Sequence, residues 1–432
     1  MVKRNLKSSF SIYWAKLPIS SKFKQDVLIN YLSLIFLGLG GVILNVLIAH
    51  FYGPSVLGFF NKVYALYMVA SQFAVGSVHL SVQKYIASEK KTEQNRIINS
   101  GLVITFFFAI ITIFLIFLSR DLWAKFLKSP EISLSIIYIL PGLLSFALNK
   151  TLLAFFNGLR EMKIFAFFQS LRYFFILLFA VLAVVYSFPK QMLPIIFSAA
   201  EVSLLLILFI YALKYFKFIH PKKWGDWLKT HFIFSYHSFL GNVLTDVNSR
   251  VSILILGYFL ADKQVGIYSF AASFAEGFNQ LFVVLKLNIN PILVKLLAKK
   301  KELEKMVRQG VKLTYRFATI LGLVSIVLYP LFIFAFVHKE GFMASWPVFI
   351  ILIIGTILGS GYQPFLMLMA QAGYPKLYTR LIAIVFTSNV VLNFVLVPIL
   401  GIYGAAIATG ISYIISALVL KVLTRKAIKI NI

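Results

Sequence analysis

Apolar residues in this chain come in long, nearly unbroken runs, and the polar positions gather in short turns between them. Runs of roughly 20 apolar residues are the length a helix needs to cross a hydrocarbon layer about 30 Å thick. Twelve segments fit: 28–51, 57–83, 97–118, 132–157, 164–186, 191–213, 231–259, 265–294, 310–337, 344–371, 377–399 and 402–420. The first follows a basic, polar arm (1–27) and is long, which reads as a transmembrane helix rather than a cleaved signal peptide. Connections are short throughout, so no extramembrane domain is expected on either side. The pattern predicts an all-α membrane protein of about 12 transmembrane helices.

Composition agrees, with 60% hydrophobic and only 13% charged residues in 432. A soluble core stops growing at about 250–300 residues and has no use for that excess. The absence of cysteine removes disulfides, thiol nucleophiles and Cys-ligated metal centres. The net charge of +28 raises nucleic acid as a partner, but the location of the bases argues otherwise. If both termini share one face, 31 of the 42 Lys and Arg residues lie there, six lie on the other face and five lie inside spans. Such asymmetry over short loops is the positive-inside rule, so both termini are expected to be cytoplasmic. The charge then reports topology and contact with anionic membrane lipid, and no nucleic acid is expected.

An internal repeat supports two halves. HFYGPSVLGFFNKVYALYMVASQ (50–72) aligns with YFLADKQVGIYSFAASFAEGFNQ (258–280), so that Gly58 matches Gly266 and Phe51 matches Phe259 at a constant offset of 208. NGLREMKIF (157–165) and QAGYPKLY (371–378) form a weaker pair. Two six-helix halves of the same orientation follow, 1–220 and 221–432, related by an axis along the membrane normal.

These motifs carry a resemblance. ILGYFLADKQVGIYSFAASFAEGFNQ looks like the paired-helix signature of polysaccharide-export flippases. QAGYPKLYTRLIAIVFTSNVVLNFVLVPILGIYGAAIATGISYIISA (371–417) resembles the family's C-terminal pattern of Gly turn, basic residue, long helix, Pro and small-residue segment. The family is the O-antigen and polysaccharide flippase branch of the multidrug/oligosaccharidyl-lipid/polysaccharide superfamily. The resemblance implies its MATE-like fold, with two pseudo-symmetric six-helix bundles around a central cavity. Where many members carry an acid before the apolar run, this chain has Ser252, with Asp246 the nearest acid. Gly404, Ala408 and Ile411 are spaced for close helix packing rather than for a ligand.

Charges inside spans point to the chemistry. A central charge costs roughly 2.5–3.5 kcal/mol to insert, so it normally faces protein or a watery cavity. On span seven, Asn242, Asp246, Ser249 and Arg250 fall on one face, within an arc of roughly 100°. On span eight Glu276, Asn279, Gln280, Lys286 and Asn290 cluster in the same way, as do Lys62, Gln72, His79 and Gln83 on span two. Arg172 is a further in-span base, whereas Lys150 reads as a side chain snorkelling from a span end. In the family, the first two helices of each half line the cavity, which is where these stripes lie. Two blander readings stand beside cavity lining: interhelical cross-links, and a self-satisfied Asp246–Arg250 pair four residues apart. His79 is either a proton carrier or a neutral hydrogen-bonded helix residue, and His237 lies on the opposite side of span seven from Asp246.

The chain has no G-x-x-x-x-G-K-[ST], H-E-x-x-H or G-x-S-x-G, and its longest outer loop is roughly 119–131. Neither an enzyme, a metal site nor a cofactor is expected. The function implied is translocation of an undecaprenyl-pyrophosphate-linked oligosaccharide across the cytoplasmic membrane, for surface polysaccharide, lipopolysaccharide or O-antigen assembly. Coupling to H⁺ or Na⁺ through Asp246 or Glu276, and polymerase or assembly partners, would accompany it. The alternatives are a cation-coupled multidrug-type exporter and a non-transporting assembly subunit. Five in-span bases against three acids favour an anionic substrate.

Overall fold

The computed structural model describes residues 21–337 and 339–430, with side chains from Gly38 onward, so most of the basic N-terminal arm lies outside the described residues. Every regular element among the described residues is helical. In chain order they are α1 (Ser21–Val75), α2 (Val78–Ser88), α3 (Gln94–Leu118), α4 (Arg120–Phe126), α5 (Ile132–Gly158), α6 (Met162–Val185) and α7 (Ile195–Ala212). After a connection come α8 (Trp227–Asn248), α9 (Val251–Phe259), α10 (Asp262–Leu296), α11 (Lys300–Phe336), α12 (Ser345–Ser360), α13 (Leu368–Gln371), α14 (Pro375–Leu400) and α15 (Ile402–Ala427). Ten helices among the described residues are long and apolar enough to cross a membrane, and α8 with α9 forms a bent eleventh span.

The twelfth segment is hidden in α1. Its 55 residues would stretch about 80 Å if straight, yet Asn61 Nδ2 donates to Asn45 Oδ1 at 2.9 Å. The chain therefore doubles back between them. The reversal is at Gly53, whose φ of 83° suits glycine, and Pro54 starts the returning arm. Spans one and two are thus the two arms of α1.

Three spans read as continuous helices are broken. Span two is interrupted at Gly76 and Ser77, both with positive φ, before α2 resumes. Span seven bends by 58° between Asn248 and Val251. There Ser249 Oγ bonds back to the Asp246 carbonyl and the Arg250 amide takes the Val247 carbonyl, which tightens the turn and diverts the helix. Span ten ends at Ser360, and the GYQP sequence, with Pro364 in a short 3₁₀ turn, leads to α13.

The two bundles share one buried apolar core, and nearer the basic loops the start of α8 also packs on the first bundle through Trp227 and His231. One buried apolar cluster runs across both, from Leu57, Phe60 and Leu66 to Ile255, Phe270 and Leu352. Toward the end carrying the basic loops each bundle has its own cluster. One is built on Val82, Ile97 and Phe155, and the other on Leu293, Val307 and Leu381. Side chains in a close-packed core cannot part without loss of contact, whereas two separate cores can. The fold is a pair of six-helix bundles that share a core at one end and keep separate cores at the other, where α8 bridges them.

Candidate functional site

The fused end is built on the repeat. Gly58 and Gly266 face each other where α1 crosses α10, and a Cβ on either would collide with backbone: the Asp262 carbonyl for Gly58, the Pro54 carbonyl for Gly266. Lys62, one turn beyond Gly58, is fully buried there. Its Nζ donates to the Leu127 carbonyl at 2.8 Å and lies 2.6 Å from Asp262 of the other bundle. Ser129 Oγ donates to the same carboxylate at 2.8 Å, and Lys128 reaches the Phe259 carbonyl at 3.4 Å. Beside this seal, and outside the spans, Lys190 lies 2.7 Å from Glu131 and its hydrogen bond holds that carboxyl below the usual range. Lys62 was expected on a cavity-lining stripe with Gln72 and His79; it belongs to the seal instead. Position 62 shares their helix face but lies about 15 Å from Gln72 along the axis, and the partners met at that height are Leu127, Ser129 and Asp262.

Behind the seal lies a polar layer. Arg250, at the α8–α9 break, donates to both oxygens of Glu276 on α10, at 3.2 and 3.1 Å, and its guanidinium sits over the Tyr64 ring. A cavity of about 120 Å³ opens beside this pair, walled by Asn45, Asn61 and Tyr64 of α1, Tyr173 of α6 and Gln280 of α10. On the far side of α1, Lys150 of α5 lies 3.6 Å from Asp246 of α8 and donates to Gln72 at 3.1 Å. Arg172 of α6 pairs with Glu201 of α7 at 2.9 Å, and Asn149 donates to the same carboxylate. Lys150 and Arg172 share the Phe146 ring, which links these two pairs. An ion in a low-dielectric setting is stable when paired and hydrogen-bonded, and each of these is.

The remaining predicted residues divide. Asn242, Asn279 and Asn290 each hold a buried side-chain atom with no hydrogen-bond partner among the described residues, as does His79 through Nδ1. Lys286 is half-buried and makes no ion pair among the described residues. His237 bonds its own helix at the Ile233 carbonyl. The self-satisfied Asp246–Arg250 pair does not form: the 58° bend turns Arg250 toward Glu276, and Asp246 takes Lys150 across the bundle boundary.

Sequence reasoning passed over Lys150, which is the bridging base, along with Tyr64 and Tyr173. Lys150 stands seven residues inside span four, about 10 Å from its end. That depth, beside Asn149, was the available signal. The charge balance changes as well. With Lys62 in the seal, the polar layer holds Lys150, Arg172 and Arg250 against Glu201, Asp246 and Glu276.

Residues 23–285 match the model of a family described as polysaccharide biosynthesis protein. The chain belongs to this family. No curated protein matches the sequence. Among solved structures, the family member is similar to a lipid II flippase MurJ in an inward closed conformation. The identity is 16% and the TM-score 0.74, over 93% of this chain and 87% of that one. It is similar to a multidrug resistance MATE family transporter in its inward-facing conformation, at 11% identity and TM-score 0.75 over 92% and 94% of the two chains. A MATE family transporter in an outward-facing conformation matches at 12% identity and TM-score 0.60, over 94% and 96%. At these identities the likeness is one of fold: this is a multi-pass membrane protein with the two-bundle architecture of that superfamily.

Proposed function

We propose that this family member is a flippase that carries a lipid-linked oligosaccharide across a membrane by alternating access, with no covalent chemistry. The observation that carries the reading is the pairing at the divided seam. Arg250 and Lys150 stand there, each held by a carboxylate that a diphosphate can replace. Asn242, Asn279 and Asn290 offer unpartnered amide atoms to sugar hydroxyls. The shared core with its Gly58–Gly266 crossing closes one end, and the separate cores at the basic end supply the opening. The higher TM-score to an inward-facing than to an outward-facing relative agrees with that opening. The finer reading is an undecaprenyl pyrophosphate carrier, O-antigen or related surface polysaccharide, the cytoplasmic membrane with both termini inside, and rocking of 1–220 against 221–432. Asp246 or Glu276, once displaced by the diphosphate, would take up H⁺ or Na⁺.

A second reading, export of small cations, has one observation in its favour. Asp246 and Glu276 are 37% and 39% exposed, more than Lys150 at 23% and Arg250 at 14%. One experiment separates the two. In vesicles holding a fluorescent lipid-linked oligosaccharide and an impermeant quencher, the protein should speed loss of the protected fraction over protein-free vesicles. Arg250→Gln with Lys150→Gln should slow it at least about tenfold, since hydrogen bonds to a charged group are worth roughly 1.5–3 kcal/mol. No acceleration of the lipid, together with efflux of a cationic dye, would replace the flippase by the exporter.

A further inference from the structure

A second hollow lies outside the polar layer. A groove of about 510 Å³ runs between the returning arm of α1, α3 and α8, within the range of about 300–1,000 Å³ typical of ligand pockets. Phe73, Leu115, Phe232 and Tyr236 line it and are exposed on the outer surface of the bundles, so its open side faces the hydrocarbon. Two of its hydroxyls, Thr112 and Ser119, are consumed by carbonyls of their own segment, and Ser235 Oγ is buried without a partner among the described residues; the remaining walls are mainly apolar.

The groove leads somewhere. On α8, Phe232, Phe239 and Asp246 are spaced by seven residues and lie on one line of the helix, each step turning by only about 20°. That line is aromatic along the groove and acidic where it meets Lys150. On α1 the same change occurs between neighbours: Phe73 lines the groove, and Gln72 accepts from Lys150. Phe73 and Phe239 touch edge to face, with ring centroids 5.5 Å apart, and form the sill between the two regions. An apolar channel open to lipid thus ends at a base that has an exchangeable partner. The order of apolar wall, aromatic sill and cation matches a molecule with a long hydrocarbon chain ending in an anion.

We infer that this groove seats the polyprenyl chain of the transported lipid, with the diphosphate past the Phe73–Phe239 sill at Lys150. The inference rests on the flippase reading and adds to it the route and resting place of the tail. The chain stays in contact with the bilayer, so only the head is desolvated during passage, and the sill rings part to admit it.

The test uses the full-length protein in vesicles and a lipid-linked oligosaccharide with a diazirine in its prenyl chain. Photolysis should label residues 111–115 and 232–239, and unlabelled substrate should chase the label while phosphatidylglycerol should not. Leu115→Trp with Ile111→Trp, which adds bulk at two exposed groove positions, should raise the KM of the long-chain substrate about tenfold. That is the effect of roughly 60 Å² of lost apolar burial. A two-isoprene analogue should be unaffected. Transport with labelling confined to other helices would overturn the groove while leaving the flippase intact. Labelling chased equally by phosphatidylglycerol would make it an ordinary lipid seat and overturn the proposal. Neither transport nor labelling would remove the flippase reading, and the tail groove with it.

Discussion

Gly58 and Gly266, 208 positions apart and equivalent in the internal repeat, meet backbone to backbone where the two bundles fuse. A pseudo-symmetry axis passes between residues that exchange under it, so their contact marks the axis. A methyl group at either glycine has nowhere to go, because its obstacles are main-chain atoms rather than flexible side chains. Gly58→Ala and Gly266→Ala are each expected to cost at least about 1–3 kcal/mol, the usual range for overpacking, in unfolding measurements in detergent. Gly41, whose added Cβ would meet nothing within 4 Å, is the control; an equal loss from Gly41→Ala would show that the crossing is not special.

Lys62 and Asp262 close the same end, and the chain's lack of cysteine makes the closure measurable. Removing the carboxylate leaves a fully buried ammonium with only the Leu127 carbonyl and Ser129 hydroxyl, a costly state for an isolated charge. Asp262→Asn should therefore favour the form in which this end is parted. A single cysteine at Ser269, just inside the seal and lining the small cavity, should react several-fold faster with a membrane-impermeant thiol reagent in the Asp262→Asn background. Unchanged labelling would mean that the ion pair does not hold the end shut.

Much of the fold was legible because hydrocarbon imposes a length: runs of about 20 apolar residues leave few choices, and twelve segments were recovered. Breaks inside spans two, seven and ten were not legible. They arise from single residues with positive φ, such as Ser77, or from a hydroxyl bonding back, such as Ser249. Neither leaves a mark in hydropathy. In the polar layer, Asp246, Arg250 and Glu276 stand in ion pairs and Gln280 lines the small cavity. Spacing gives the azimuth on one helix but not the neighbour met there. It therefore offered Arg250 to Asp246, its i−4 neighbour, when the bend offers Glu276, and it placed Lys62 in the wrong layer.

Arg250 and Glu276 allow an energetic test. Each single change strands one partner in a half-buried site, whereas the double neutral change strands none. Arg250→Gln should destabilise more than Arg250→Gln combined with Glu276→Gln, with a coupling energy of about 1–3 kcal/mol in a double-mutant cycle. Transport should follow a different order, with the double variant no better than Arg250→Gln if the guanidinium meets the diphosphate. Full transport by the double variant would make the pair structural.

His231 decides which bundle α8 travels with. Its ring lies 2.7 Å from Ser81 Oγ of α2 and 3.0 Å from the Ile97 carbonyl of α3, and Trp227 donates to Glu93 in the same region. Farther along, Asn389 of α14 donates to Asn248 at 3.1 Å. One helix is thus pinned to the first bundle at its start and to the second at its end, so any rocking must be absorbed between them, with the 58° break close at hand. Interhelical hydrogen bonds inside membranes average about 0.6 kcal/mol and reach about 1.7. His231→Phe, which removes two of them while keeping most of the ring's volume, should lower stability by about 1–3 kcal/mol and leave the buried Ser81 hydroxyl without its partner. The functional consequence is separable: a cysteine cross-link between positions 81 and 231 should form and leave transport running when oxidised, because the motion is absorbed beyond it. Transport arrested by the cross-link would show that the start of α8 leaves the first bundle during the cycle.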